Sequence, residues 1–168
     1  IDEGRPHLRD LISIHEYVEG VVIDGAEFTV DALRTIHPPL QDCFALKFDV
    51  NGKKICFSGD TAYLATLSKF AEGANILVHE AMLETGVAYV IAKTVNTDDR
   101  LYNHLISSHT FARDVGRIAN DAGVDMLVLN HLIPAEREIA REEDWIKEVR
   151  HHFSGNLIVG SDGMLIPF

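Results

Sequence analysis

Alternation of apolar and polar residues predicts several short strands in the first part of the chain. The segment 28–36 alternates as one strand, and the segment from Cys43 to Ser58 alternates on both sides of Asn51-Gly52. Asn-Gly between two alternating runs is the strongest short-range signal for a hairpin. The implied register sets Leu46 opposite Phe57 on one apolar face of the hairpin.

Further along the chain, the spacing of apolar residues becomes that of helices. Residues 61–73 place apolar side chains on one helix face, and the segment that opens at Ser107 predicts the best helix of the chain, ending at Gly123. On this interpretation Ser107 and Ser108 cap the helix, and His109 lies at its positive end with a lowered pKa. Short buried strands are predicted at 76–78, 126–129 and 157–159, and another helix within 136–153.

The alternation of strands and helices predicts one α/β layered unit over residues 1–168, with no internal repeat. Residues 84–106 give the weakest secondary-structure signal, with a loop expected at 95–100. The same hairpin register places Cys56 opposite Lys47 and away from Cys43, so both cysteines are expected to be reduced.

Composition places the chain among soluble globular proteins and excludes some functions. It has 168 residues, 46% of them hydrophobic and 24% charged, which suits one domain. A net charge of -11 disfavours a surface that holds nucleic acid. No apolar run approaches the ~18 residues that span a membrane, and no signal-type segment opens the chain, so the cytoplasm is the expected compartment. The first residue is not Met, so the gene product is expected to start earlier.

Candidate metal ligands lie at the ends of the apolar runs. Asp60 follows a strand and the small-residue turn Ser58-Gly59, while His37, His79 and His131 each close an apolar run. Imidazole and carboxylate groups at neighbouring strand ends are the usual ligands of a zinc-type catalytic site.

Six motifs in this order resemble the C-terminal half of the metallo-β-lactamase fold, closest to its ribonuclease Z and arylsulfatase-like branch. The motifs are His37-Pro38-Pro39, Phe57-Ser58-Gly59-Asp60-Thr61, Leu77-Val78-His79-Glu80-Ala81, Ser108-His109-Thr110, Leu127-Val128-Leu129-Asn130-His131 and Gly160-Ser161-Asp162-Gly163-Met164. The resemblance implies half of a four-layer αββα sandwich.

The resemblance also implies a role for each matching residue. His37 would be a ligand of the first metal, Asp60 the carboxylate that bridges two metals, and His131 the last ligand of the second. His109 would act near the scissile bond, where it donates a proton or stabilises developing charge. Glu80 would support the site from behind the ligands.

One family motif is absent from this chain. The His-x-His-x-Asp-His signature, which supplies the other ligands, does not occur in residues 1–168. Three interpretations stay open: the chain is a fragment of a longer protein, it complements a separate N-terminal half, or it is a non-catalytic remnant. The presence of His37, Asp60, His109 and His131 favours the first.

The expected function is that of a metal-dependent hydrolase with two divalent ions, zinc or else iron or manganese, acting on a small ester, lactone, sulfate or phosphodiester. The alternative is an interaction module that forms a homodimer through its exposed sheet. Ribonuclease Z-type RNA processing comes third, because the short spacing from His37 to Asp60 leaves no room for the family's RNA-gripping arm. The expected partners are a small-molecule substrate and the missing half, with no membrane or nucleic acid.

Overall fold

A computed structural model describes residues 4, 6–94 and 99–167, and it contains a seven-stranded sheet. The strands follow one another across the sheet in chain order. They are β1 (Gly20–Asp24), β2 (Phe28–Arg34), β3 (Phe44–Val50), β4 (Lys53–Phe57), β5 (Ile76–Met82), β6 (Met126–Ile133) and β7 (Asn156–Val159). The loop expected at 95–100 falls mostly outside the described residues.

The sheet is antiparallel from β1 to β4 and parallel from β4 to β7. Since β2 is separated from β4 by one antiparallel neighbour, β2 runs in the same direction as the four parallel strands. The carboxyl ends of these five strands therefore lie along one edge of the sheet. This edge is where an open α/β sheet places its functional groups.

The β3–β4 hairpin has the register that Asn51-Gly52 predicts. Val50 pairs with Lys53, Leu46 with Phe57, and Cys56 with Lys47. Asn51 has φ 54° and Gly52 φ 81°, the left-handed values that an Asn-Gly turn provides at little cost. Cys43 and Cys56 are both free, as expected.

Helices cover one face of the sheet. The helices are α1 (Thr66–Phe70), α2 (Glu84–Lys93), α3 (Arg100–Ser108), α4 (Ala112–Ala122) and α5 (Glu142–Val149). Side chains of α1, α4 and α5 form one buried cluster with Ala45, Cys56, Leu77, Leu127 and Leu129 of the sheet. The α2–α3 pair packs with Met82 and Ile133 in a second, smaller cluster. The α/β layered architecture is confirmed.

The opposite face of the sheet is apolar and only partly buried. Leu46, Phe48 and Ile55 are half-buried there, and Phe57 is 40% exposed. Smaller or more central side chains on that face are covered, with Val30, Ala32, Ile76 and Val128 between 3% and 4% exposed. Within the described residues no helix is both long and apolar enough to cross a membrane.

The prediction that a helix begins at Ser107 is wrong. Ser107 and Ser108 end α3, and α4 begins at Ala112 with Phe111 as its N-cap residue. His109 lies in the extended link between the two helices, where Met82 N–H donates to the Thr110 carbonyl at 2.8 Å. Strand-like contact with β5 outweighs the capping preference of the serines. His109 is therefore not at the positive end of a helix.

Candidate metal centre

Asp60 lies on a sharp turn that β4 and β5 hold in place. Gly59 has φ +59°, and a Cβ atom there would lie 2.9 Å from the Phe44 carbonyl oxygen, so a larger residue would not fit. Ser58 N–H donates to the Val78 carbonyl at 2.9 Å, and Thr61 N–H donates to Glu80 Oε1 at 3.1 Å. These bonds fix the backbone on both sides of Asp60.

His37 is tied to the same turn through the backbone that follows β2. Ala62 N–H donates to the Ile36 carbonyl at 2.7 Å, and Ile36 N–H donates to Thr61 Oγ1 at 3.2 Å. His37 Nε2 then lies 3.9 Å from Asp60 Oδ2. The two strand ends act as one rigid support for the imidazole and the carboxylate.

His131 reaches Asp60 because β6 is irregular at this residue. Glu80 pairs with Asn130 and Ala81 with Leu132, which leaves His131 as an extra residue without a pairing partner in β5. Its φ is +40°, an uncommon value for a residue other than glycine. The bulge sets His131 Nε2 at 3.5 Å from Asp60 Oδ2. Bulges and strained backbone often occur beside functional groups, where they reorient a side chain.

The distances from Asp60 to the two imidazoles are close to those between neighbouring ligands of a zinc-class ion, although the three residues do not form one group with all ligand atoms within 4.8 Å of one another. Ligand atoms about 2.0–2.1 Å from a tetrahedral ion lie roughly 3.4 Å from one another. The separations from Asp60 Oδ2 to His131 Nε2 and His37 Nε2 are 3.5 Å and 3.9 Å. One carboxylate oxygen between two imidazole nitrogens is the donor arrangement that a bridging ligand would need.

His109 stands beside these groups and is held from behind by Glu80. Its ring stacks on that of His131 at a centroid distance of 5.4 Å and an interplanar angle of 14°. His109 Nδ1 lies 3.2 Å from Glu80 Oε1. The same oxygen accepts the N–H groups of Thr61 and Thr110, each at 3.1 Å. Glu80 is 1% exposed, so its position is fixed by these three donors.

The carboxylates keep His109 in a form that can donate a proton. Burial disfavours its charged form, but the hydrogen bond with Glu80 and the charges of Glu80 and Asp60 outweigh this and raise the pKa of His109. This direction is opposite to the one expected from a helix start. Burial raises the pKa of Glu80, and its three N–H donors oppose that shift.

His79 does not join the cluster, although it too ends an apolar run. It is fully buried, and its Nδ1 lies 2.6 Å from the Glu80 carbonyl oxygen. In β5 it shares a face with Leu77 and Ala81, which belong to the helix-covered core. Burial lowers its pKa from 6.5 to about 4. His79 is therefore a packing residue in this structure.

The sequence did not single out His104, which α3 brings to the site. Its ring lies 5.5 Å from that of His37 and 6.1 Å from that of His109, by centroids. Two groups of ligand atoms lie within 4.8 Å of one another: those of His37, His104 and His109, and those of Glu80, His109 and His131. The spacing of Leu101, Leu105 and Ser108 is helical and was the signal that could have placed His104 beside His109.

A cleft of about 900 Å³ opens beside His131, at the carboxyl ends of β6 and β7. Its lining includes Trp145, Met164 and the polar groups of Asn130, Arg137 and Ser161. A largely apolar cleft of this size with a few polar groups is typical of small-molecule sites.

Comparison with known proteins connects this geometry to one superfamily. No family-level sequence profile matches the chain. Ribonuclease Z of Mycobacterium bovis (strain BCG / Pasteur 1173P2) is 29% identical over 151 residues, which cover 90% of this chain and 51% of that protein. The metallo-β-lactamase-fold protein YhfI from Bacillus subtilis matches with a TM-score of 0.64 and 24% identity, over 84% of this chain and 50% of that one. The chain has the metallo-β-lactamase fold, and its sequence is similar to that of ribonuclease Z.

Another solved structure with a similar fold is that of a hydrolase. An isothiocyanate hydrolase from Delia radicum gut bacteria matches with a TM-score of 0.59 and 18% identity, over 91% of this chain and 59% of that one. This likeness shows the fold. The chain spans about half the length of the curated relatives it matches.

Proposed function

We propose that this chain carries one half of the active site of a metal-dependent hydrolase. The observation that supports this is the placement of Asp60 Oδ2 at 3.9 Å from His37 Nε2 and 3.5 Å from His131 Nε2. In this proposal His37, Asp60 and His131 hold two divalent ions, zinc or else iron or manganese, with further ligands from outside this chain. The bound ions supply a water of lowered pKa and polarise the bond under attack.

His109 handles the proton in this proposal. A carboxylate can only accept, so the Nδ1 of His109 carries the hydrogen that points to Glu80. The other ring nitrogen, Nε2, can then hold a proton and deliver it to the leaving group, and the raised pKa favours that charged form. Glu80 fixes the ring orientation and stabilises its charge.

The proposed substrate is a small ester, lactone, sulfate or phosphodiester. The cleft of about 900 Å³ beside His131 supports a small molecule, because its lining is mostly apolar with a few polar groups.

The test is to replace Asp60 by Asn in the active protein, that is, in this chain together with the second segment that supplies the further ligands. Asp60→Asn keeps the shape but removes the bridging charge, so metal content is expected to fall together with hydrolysis of chromogenic esters and phosphodiesters. The expected loss is about 100-fold or more, as for other electrostatic catalytic groups. The matched control is Asp121→Asn on the exposed side of α4, which is expected to change neither. Full metal content and activity in Asp60→Asn would refute the proposal.

Ribonuclease Z-type RNA processing is the second candidate function, and the name of the relatives supports it. The net charge of -11 opposes it, because a protein that grips RNA neutralises phosphates with Lys and Arg. Cleavage of a precursor tRNA with a steep dependence on salt would favour this candidate over the small-molecule hydrolase. An interaction module is the remaining alternative, supported by the partly exposed sheet face, and it requires no effect of Asp60→Asn beyond stability.

A further inference from the structure

His104 stands where α3 meets the metal centre and has no role in the proposed hydrolysis. Its ring is nearly perpendicular to those of His37 and His109, with interplanar angles of 88° to both. One ligand nitrogen from each of these three residues lies within 4.8 Å of the other two. Asp60 and His131 do not belong to this group. The three imidazoles come from the end of β2, from α3 and from the α3–α4 link, so they converge from separate elements.

The hydrogen bonds of His104 fix which of its nitrogens is available. Ser108 Oγ has one hydrogen and donates it to the Pro38 carbonyl at 3.2 Å, because a carbonyl oxygen can only accept. His104 Nδ1 lies 3.2 Å from the same Oγ and must therefore donate to it. A neutral His104 then carries its lone pair on Nε2, the atom that binds a metal or accepts a proton.

The other two imidazoles also have a nitrogen to offer. His109 Nδ1 donates to Glu80, which leaves Nε2. His37 Nδ1 is buried and has no hydrogen-bond partner among the described residues. A buried polar atom without a partner is costly, and such atoms call for an explanation. A metal ion between the three rings would use the free nitrogen of each.

We propose that His37, His104 and His109 form an alternative site, overlapping the first, for one transition-metal ion of the zinc class. Three neutral imidazoles with an open fourth position are an established donor set for zinc, with nitrogens roughly 3.4 Å apart around the ion. The three ligand nitrogens lie within 4.8 Å of one another, so small side-chain movements would bring them to that spacing. All three ligands belong to this chain, so the site needs no ligand from another segment and no hydrolytic activity.

Occupation of this site would compete with the proposed hydrolysis. An ion held by His104 takes His109 away from the leaving group and adds positive charge at the His37 ring, whose Nε2 lies 3.9 Å from Asp60 Oδ2. It also displaces the proton that His109 would deliver, since metal binding releases protons from imidazoles. Zinc beyond the amount needed for activity is therefore expected to inhibit the hydrolase, and His104→Gln is expected to relieve that inhibition.

The test is zinc titration of the metal-free 168-residue chain by calorimetry, with His104→Gln as the variant and His152→Gln as the matched control. The wild-type chain is expected to bind one ion. His104→Gln is expected to weaken binding by more than the ~10–100-fold that a lost outer-shell partner costs. His152→Gln removes an exposed imidazole from the turn after α5 and is expected to leave the affinity unchanged.

A second measurement decides the question on the wild-type chain alone, in case His104→Gln does not fold. Long-range proton–nitrogen correlation spectra report each histidine ring nitrogen, and zinc is expected to shift those of His37, His104 and His109 but not those of His131. Equal zinc affinity in folded His104→Gln, shifts at His131 with none at His104, or no zinc binding by the wild-type chain would each overturn the proposal. These measurements follow zinc binding without hydrolysis, so this site can fail while the hydrolase proposal stands.

Discussion

The two faces of the sheet differ in how completely their large side chains are buried. On the helix-covered face Ala45, Cys56, Leu77, Leu127 and Leu129 are all 0% exposed. On the opposite face the hairpin side chains Leu46, Phe48 and Ile55 are half-buried, and Phe57 is 40% exposed. The helix-covered face is therefore fully packed, while apolar side chains of the hairpin remain partly exposed on the other face.

The candidate metal centre lies at the edge where the two faces of the sheet end. His37, Asp60 and His131 all come from strand ends of this sheet, and the partly exposed face lies directly beside them. In a four-layer sandwich, a second sheet that covers this face would bring its own strand ends to the same edge. Docking of that second sheet would then both cover the apolar face and add ligands to the candidate metal centre.

The largest expected effect comes from a cavity on the helix-covered face. Leu127→Ala removes a side chain that is 0% exposed in the main core, and such substitutions cost about 2–5 kcal/mol of unfolding free energy. Leu46→Ala is the matched change on the opposite face, where the half-buried leucine leaves a smaller void, and about 1 kcal/mol is expected. Urea unfolding of both variants measures the difference. Equal losses would contradict the contrast between the faces.

His79, on the same covered face, is expected to cause a loss of stability of intermediate size as the pH falls. Burial lowers its pKa from 6.5 to about 4, although the backbone bond to Glu80 works the other way. Below pH 6.5 the His79 imidazole is protonated in the unfolded chain but stays neutral in the folded chain. The free energy of unfolding therefore decreases as the pH falls toward 4. Between pH 7 and pH 5 this group is expected to cost about 2 kcal/mol.

The comparison of wild-type protein with His79→Gln isolates this contribution from the other titrating groups. Gln keeps a polar side chain of similar size but does not titrate, so its unfolding free energy should fall less between pH 7 and pH 5. The raised pKa of His109 acts in the opposite sense and is present in both proteins, so it cancels. An identical acid loss in the two proteins would show that His79 is not buried in its neutral form.

Local signals in the sequence predicted the fold well where they agreed with the tertiary contacts. Asn51-Gly52 predicted the hairpin register because a two-residue turn leaves one way to pair its strands. The ends of apolar runs predicted Asp60, His37 and His131, because neighbouring parallel strands end at one edge. Their meeting at Asp60 Oδ2 needed the structure.

The failures have the opposite cause, because there the decisive contacts are distant in sequence. Ser107 and Ser108 look like caps of the following helix, but the pairing of residues 109–111 with β5 ends one helix and starts another. Helical spacing around His104 is a weak local signal, and the packing of α3 is what places this residue at the candidate metal centre. The bulge at His131 depends on the register between β5 and β6, which no local pattern reveals.

The smallest effect on stability is expected at Phe57, which tests the partly exposed face most directly. Its ring is 40% exposed and meets Phe48 edge-on at a centroid distance of 5.9 Å, so Phe57→Gln is expected to cost less than about 1 kcal/mol in urea unfolding.

The same change is expected to lower self-association or binding of a second segment, because it removes an exposed aromatic ring from that face. Sedimentation velocity measures this effect. Leu165→Gln, which changes a side chain that is 93% exposed near the C-terminus, is the control and should leave association unchanged. A large loss of stability with unchanged association would instead mean that this face is already packed within the chain.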